Sequence, residues 1–267
     1  MSAPATAPRS AGDDFVRFVN VYKAFGPKQV ARDFSLTVKR GEVLTLLGGS
    51  GGGKSVSLKL LIGLLTADAG RIEVDGVDVA NFTEEQFLPV RRRISMLFQS
   101  AALFDSISVG ENVAYPLRLA NKFSESEIHD RVAERLEMVG LPGVEKMRPS
   151  DLSGGMQKRV GLARAIVADA EMILYDEPTT GLDPINTRRI NELILSIQNR
   201  LKVTSLVVTH DLPSAFMVSN RMAMLSKGRI VAALPTDEFR RSAEPAIREF
   251  ISAMPINSPA KSVEAAP

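Results

Sequence analysis

Apolar residues fall along the chain in two textures. Short runs rich in β-branched and aromatic residues, bounded by turn residues, predict strands: "FVRFVNV" from Phe15, "FSLTV" from Phe34, "VLTLL" from Val43 and "IEVDGVDV" from Ile72. Three further runs, "RISMLFQ" from Arg93, "MILYDEP" from Met172 and "VTSLVVTHD" from Val203, are apolar and then end in polar residues. Near-continuous apolar strands suit a parallel sheet covered on both faces. Elsewhere the apolar positions recur at helical spacing, as in "KSVSLKLLIGLL" from Lys54, "MQKRVGLARAIVA" from Met156 and "PINTRRINELILSIQNR" from Pro184. "SESEIHDRVAERLEMVG" opens at Ser124 on a Ser/Glu capping pattern and stops at Gly140. The pattern predicts an α/β core with a mostly helical insertion over about residues 100–170, preceded by a smaller β-rich segment. No internal repeat is visible.

The ends differ from the middle. Residues 1–13 and 253–267 are rich in Pro, Ala and Ser and predict flexible termini around one domain at 14–252. The core reads as complete by the strands "RMAML" from Arg221 and "RIVAAL" from Arg229. In the segment that follows, Phe239, Ile247, Phe250 and Ile251 could form one face of short helices. That face either folds back on its own core or reaches a partner subunit.

Composition narrows the function classes. Of 267 residues 45% are hydrophobic and 24% charged, ordinary for a globular protein with a sizeable core. A net charge of +2 does not favour a general nucleic-acid partner. The absence of cysteine excludes disulfides and thiolate metal sites, and two histidines make no His-rich one. Apolar runs such as Leu60–Leu65 are far shorter than the roughly 18 residues of a membrane span. With no apolar leader at the N-terminus, a cytoplasmic location is expected.

Two stretches carry chemistry. "GGSGGGKS", comprising Gly48, Gly49, Ser50, Gly51, Gly52, Gly53, Lys54 and Ser55, fits G-x-x-x-x-G-K-[ST] between a strand and a helix. In such a P-loop the glycines let backbone N–H groups curl around phosphate. Lys54 neutralises β- and γ-phosphate charge, and the Ser55 hydroxyl reaches Mg²⁺. An acid ending a neighbouring strand should complete the site. Asp176 fits as the Mg²⁺ partner, and Glu177 as a general base that polarises water. His210 and Gln99 each end an apolar strand at the same expected sheet edge. His210 suits a γ-phosphate sensor; Gln99 could reach Mg²⁺ or the attacking water. His129, in a charged helical stretch, reads as solvated surface. The second stretch is "LSGGMQKR", where Ser153, Gly154 and Gly155 open a helix whose free N–H groups favour an anion. A chain with one phosphate site thus presents a second.

The order P-loop, Gln-ended strand, helical segment, "LSGGM", "ILYDEP", "GLDP" and "VTHD" resembles that of ABC-transporter ATPases, from about Phe15 to Phe250. The resemblance implies a P-loop NTPase (RecA-like) α/β core with an antiparallel β subdomain and a helical signature subdomain, using ATP and Mg²⁺. It also implies a head-to-tail homodimer, in which Ser153, Gly154 and Gly155 contact the γ-phosphate of the partner's ATP. Asp183 would face that dimer contact, and Phe25 in "YKAFG" matches the adenine-stacking aromatic, with Tyr22 as the alternative. Met156 stands where the signature commonly has glutamine, and the P-loop is unusually glycine-rich. The absence of an Asn-Lys-x-Asp motif favours ATP over GTP.

"MLFQSAALFDSISVGENVAYPLR", Met96 to Arg118, is similar to the ATPases of bacterial Mla/Mce-type lipid transporters. In the family this region receives a coupling helix from a membrane permease, which implies a groove at Phe98, Leu103, Phe104 and Tyr115. These residues also suit the helical subdomain's own core. Permease, Mce-domain and small accessory subunits are the implied partners, and the cytoplasmic face of the inner membrane the implied location. The alternative is an ATPase of an importer for amino acids or other small polar solutes. More remote are ABC ATPases acting on DNA repair or ribosomes, which usually carry two ATPase domains or a long coiled coil.

Overall fold

The computed structural model describes residues 13–49 and 51–253. From its start the chain forms β1 (Asp14–Phe25), β2 (Lys28–Lys39), β3 (Val43–Leu47), α1 (Lys54–Leu61), β4 (Ala69–Val74), β5 (Val77–Asp78), α2 (Glu84–Arg93) and β6 (Ile94–Leu97). Next come α3 (Val109–Ala120), α4 (Glu125–Met138), a 3₁₀ turn at Pro149–Asp151, and α5 (Gly154–Ile166). The last part is β7 (Met172–Asp176), α6 (Pro184–Leu201), β8 (Thr204–Thr209), α7 (Leu212–Val218), β9 (Arg221–Ser226), β10 (Arg229–Pro235), α8 (Thr236–Arg241) and α9 (Pro245–Ser252).

The main sheet has the order β10-β9-β3-β8-β7-β6, parallel except for β10 at one edge. Every residue of β3, β7 and β8 is buried. Alternate side chains enter opposite cores. Leu44, Leu46, Leu174 and Leu206 face the core shared with α1 and the small sheet, while Val43, Ile173, Tyr175 and Val207 face the helical side. This two-sided burial is why these strands read as unbroken apolar runs. On the helical side, Val113 of α3, Val132 of α4, Val160 of α5 and Ile194 of α6 join one cluster. Ser108 and Ser124 close capping boxes on α3 and α4 with Glu111 and Glu127.

The small sheet, β2-β1-β4-β5, is antiparallel throughout. Here the chain departs from expectation twice. "IEVDGVDV" is a hairpin, because Asp75 and Gly76 both take positive φ (55° and 77°) and turn the chain back. The β-rich segment also does not simply precede the core: β3 and α1 intervene before β4 returns to pair with β1. A mixed ion network clasps this sheet to the core. Asp75 pairs with both Arg40 and Arg93, and Glu171 pairs with Arg40 (3.0 Å) and Arg93 (2.5 Å). Both guanidinium groups lie against the Phe15 ring, at 4.2 and 5.3 Å.

The core does not end at β10. Phe239 of α8 and Ile247 of α9 are fully buried with Leu47, Leu212, Ala215, Met222 and Met224, and Phe250 and Ile251 pack against them. The apolar face of the C-terminal segment therefore folds onto its own subunit, as one of the two expectations had it. Of the flexible termini expected at 1–13 and 253–267, all but Asp13 and Ala253 lie outside the described residues.

Candidate active site

The loop from β3 to α1 is built on close backbone approach. A side chain at Gly48 would meet the Leu225 carbonyl at 2.7 Å. At Gly53, whose φ is +98°, it would meet the Val30 carbonyl at 2.5 Å. Gly53 has no side chain to cap α1, which leaves the loop's amides available to an anion. The Gly52 amide bonds the Gly49 carbonyl at 3.2 Å, closing the loop. Lys54 is buried, and its Nζ donates to the carbonyls of Gly48 (3.0 Å) and Gly49 (3.1 Å). Ser50, the remaining loop position, lies outside the described residues.

The ends of β7 and β8 supply the facing groups. Ser55 Oγ donates to Asp176 Oδ1 at 2.6 Å. Burial pushes the Asp176 carboxyl up; the Ser55 hydrogen bond opposes this and the Glu177 charge adds to it. Glu177 has a left-handed backbone, φ 48°, which turns the chain out of β7. Its Oε1 lies 3.5 Å from Lys54 Nζ. Its Oε2 is 2.9 Å from His210 Nδ1 and accepts from Thr209 Oγ1 (3.2 Å), Thr180 Oγ1 (3.2 Å) and the His210 amide (3.3 Å). Burial alone would raise the Glu177 carboxyl, but the His210 bond and charge and Lys54 outweigh it and hold the group below its ordinary value. The carboxylate is therefore ionised, with Oε2 held by its hydrogen-bond partners and Oε1 turned toward Lys54.

A cleft of about 410 Å³ joins these groups. It brings together Phe25, Gly51, Gly52, Gly53, Lys54, Ser55, Gln99, Glu177 and His210. Gln99 follows β6 by two residues, and Phe25, at the end of β1, is 47% exposed with Lys23 Nζ 5.5 Å from its ring centroid. Tyr22 does not line the cleft. Neither do Ser153, Gly154, Gly155 and Asp183. Ser153 caps α5, accepting from the Met156 amide at 3.3 Å. Asp183 caps α6, with Oδ1 accepting from Ile185 N (2.9 Å) and Asn186 N (3.0 Å). The Asn186 side chain also bonds Asp183 Oδ2 (2.5 Å) and sits where a side chain at Gly155 would be, 3.0 Å away. The starts of α5 and α6 thus form one exposed edge, separate from the cleft within the subunit.

Beyond Gln99, Ala101 and Ala102 both take positive φ (61° and 46°), and Arg164 of α5 donates to their carbonyls at 2.7 and 2.9 Å. Buried Asn112 bonds Phe104 at N (2.8 Å) and O (3.0 Å). Phe98 and Leu103 are half-buried, and Leu103 joins the helical core. Phe104 and Tyr115 are 45% and 42% exposed, with rings 5.0 Å apart. Part of the region is core, and an aromatic pair remains outside.

A family model described as "ABC transporter" matches residues 31–180, from β2 through the P-loop and the Ser-Gly-Gly helix to Thr180. The chain belongs to the ABC transporter family. It is an ATP-binding subunit of that family and an ATPase. The "Probable ribonucleotide transport ATP-binding protein mkl" of Mycobacterium tuberculosis is 42% identical over 250 residues, covering 92% of this chain and 70% of that one. The "Intermembrane phospholipid transport system ATP-binding protein MlaF" of Escherichia coli is 38% identical over 226 residues, covering 85% and 84%. A solved dimeric ATP-binding cassette in a post-hydrolysis state, bound to ADP and Pi, superposes with a TM-score of 0.76. It is 29% identical, covering 83% of this chain and 98% of that one.

Sequence reasoning missed several groups at the site of this ABC ATPase. Lys28 and Val30 of β2 line the cleft because the small sheet leans over the P-loop. Thr180 and Thr209 hold the Glu177 carboxylate. Lys158 is buried beneath the turn that carries Glu177. A signal for Lys158 was present: it lies on the buried stripe Gly155, Lys158, Leu162, Ala165 of α5, where a charge needs a partner.

Proposed function

We propose that this ABC ATPase powers phospholipid transport of the Mla/Mce type, working as a head-to-tail homodimer docked on a membrane permease. Support for the cargo class rests on the stretch Met96–Arg118 and on the 38% identity to the phospholipid-transport relative, which extends over 85% of the chain. The exposed Phe104–Tyr115 pair, on a loop pinned by Asn112 and Arg164, is suited to receive an apolar segment of a permease. Among the described residues no helix is long and apolar enough to cross a membrane, so a peripheral attachment through such subunits fits. The reading puts the dimer on the cytoplasmic face of the inner membrane, with Mce-domain and small accessory subunits as further partners.

In this reading Phe25 stacks on adenine, and the amides from Gly48 to Ser55 with Lys54 bind the phosphates. Mg²⁺ fits the Ser55–Asp176 pair: both are hard oxygen donors, and Gln99, a further oxygen donor, lines the same cleft as Ser55. Among the described residues no group of three or more His, Asp or Glu is arranged to hold a metal, so phosphate and water would fill the rest. Bound there, Mg²⁺ would neutralise charge on the β- and γ-phosphates. Glu177 takes the proton of the attacking water, and His210, bonded to Glu177, reads the γ-phosphate. Ser153, Gly154 and Gly155, with Asp183 beside them, meet the partner's ATP. ATP then bridges two subunits, and its hydrolysis releases them, a two-state switch driven by contacts present in one state only.

The test is co-purification of the tagged chain with its native membrane, followed by ATPase assay of the complex in liposomes. An integral-membrane permease, Mce-domain subunits and bound phospholipid, with turnover stimulated by the permease, are the expected result. Recovery of a periplasmic-binding-protein-dependent permease for a polar solute instead would overturn the lipid assignment.

A further inference from the structure

Helix α5 begins at an edge where Ser153 and Gly154 are exposed, and about one turn later carries a lysine that the reaction as described above does not use. Lys158 is 6% exposed. Its Nζ donates to two main-chain carbonyls, Glu177 O at 3.2 Å and Thr180 O at 3.3 Å. Glu177 and Asp176 act on it through their charges, while its hydrogen bonds go to main-chain oxygens. Burial pulls the Lys158 ammonium down, opposed by the charges of Glu177 and Asp176. Burying a lysine is unfavourable, and its two hydrogen bonds offset part of that cost while tying the ammonium to one short stretch of backbone. What they hold is the turn Glu177–Thr180, also closed by the Thr180 amide on the Glu177 carbonyl at 3.3 Å. Glu177 sits in the left-handed region at φ 48°, a conformation disfavoured for a residue with a side chain by roughly 1–2 kcal/mol. The geometry of the carboxylate depends on that backbone: the same turn supplies Thr180 Oγ1 to Oε2 and aims Oε1 at Lys54.

We propose that Lys158 is a positioning residue for hydrolysis: it clamps the Glu177–Thr180 turn and makes the aim of the Glu177 carboxylate depend on where helix α5 sits. Five residues separate Lys158 from Ser153, about 7.5 Å of helix at 1.5 Å per residue, so the two ends move as one rigid piece. A phosphate engaged at the Ser153–Gly155 edge would therefore bear on the subunit's own base through a single side chain. The proposal rests on Glu177 being the base, and its inter-site part on the head-to-tail dimer.

The experiment is a double-mutant cycle in the full chain, Lys158→Met with Glu177→Gln, read by single-turnover ATP hydrolysis, by KM against kcat, and by binding of a fluorescent ATP analogue. Lys158→Met keeps the stem and removes the donor. Expected is a fall in kcat of about 10–100-fold, the scale of a misplaced catalytic group, with KM and nucleotide affinity within about twofold. In the Glu177→Gln background the same change should produce no further loss, because the group it aims is already gone. Lys158→Gln, a shorter donor, should retain more turnover than Lys158→Met, and it carries the test should Lys158→Met fail to fold. Multiplying losses in the double variant, or equal losses of turnover and nucleotide affinity, would overturn the proposal. Full turnover in Glu177→Gln itself would instead sink the base assignment, a result distinguishable from either.

Discussion

Glu177→Gln is the most decisive single change because the surroundings of the carboxylate are so fully specified. Gln fills the same space, and its amide oxygen can still accept from Thr209, Thr180 and the His210 amide. What it cannot do is take a proton, so single-turnover hydrolysis should fall about 10²–10⁴-fold, or about 3–5 kcal/mol of barrier. The structure also sets the sign of the effect on binding. Lys54 Nζ lies 3.5 Å from Glu177 Oε1, a contact that phosphate must compete with. Two unit charges at that distance attract by about 5 kcal/mol at an effective dielectric of 20, a gross figure largely offset by desolvation. Removing the negative charge should therefore leave ATP affinity unchanged or tighten it by up to about tenfold. Lys54→Ala, in contrast, should weaken binding itself, since it strips charge from the ground-state site. The assay pairs equilibrium binding of a fluorescent ATP analogue with single-turnover hydrolysis, and adds gel filtration to detect an ATP-trapped dimer. Hydrolysis within tenfold of the wild type, or a loss of affinity like that of Lys54→Ala, would refute the reasoning.

Ser153→Arg or Gly154→Asp should leave nucleotide binding at the P-loop intact but abolish ATP-dependent dimerisation and hydrolysis, because neither residue lines the cleft of its own subunit. Sedimentation with and without ATP checks this, and an affinity loss equal to that of Lys54→Ala would contradict it. Truncation after Ala243 removes Ile247 from a closed cluster, a loss of about 2–5 kcal/mol that should lower the melting temperature of the isolated subunit by on the order of 5–15 °C. An unchanged melt would return α9 to the role of a partner contact. The Arg40–Asp75–Arg93–Glu171 network should make stability acid-sensitive. For Asp75, burial raises the carboxyl but the Arg93 and Arg40 hydrogen bonds outweigh it; for Glu171 the Arg93 bond is the largest influence, and both end below their ordinary values. Groups lowered in the folded state contribute stability that is present above about pH 4 and lost as pH falls through the lowered values. Asp75→Asn should thus cost about 1–3 kcal/mol at pH 7, with a deficit that shrinks below about pH 4 in denaturant melts.

The sequence by itself determined the parts whose signal is local. The P-loop was legible because only glycines tolerate carbonyls at 2.5–2.7 Å from a would-be side chain, as at Gly48 and Gly53. The strands β3, β7 and β8 were legible because burial on two faces leaves no polar positions, and Asp176, Glu177 and His210 stood out as the polar ends of such runs. Capping residues such as Ser124 and Ser153 were legible for the same reason: the partner amide lies within three residues. Only the tertiary structure decided contacts between residues distant along the chain. It put Phe25 and Lys28 of the small sheet over the P-loop. It folded Phe239 and Ile247 under β9 beside Leu47, giving the apolar face of the C-terminal segment a place on its own subunit. It set Lys158 under Glu177, nineteen residues away, and so decided the partner that the lysine's place on a buried stripe only called for. An amphipathic face or a lone lysine states in sequence that a partner is needed; which partner is chosen is settled by long-range packing, where the apolar burial and the desolvation of charge are largest.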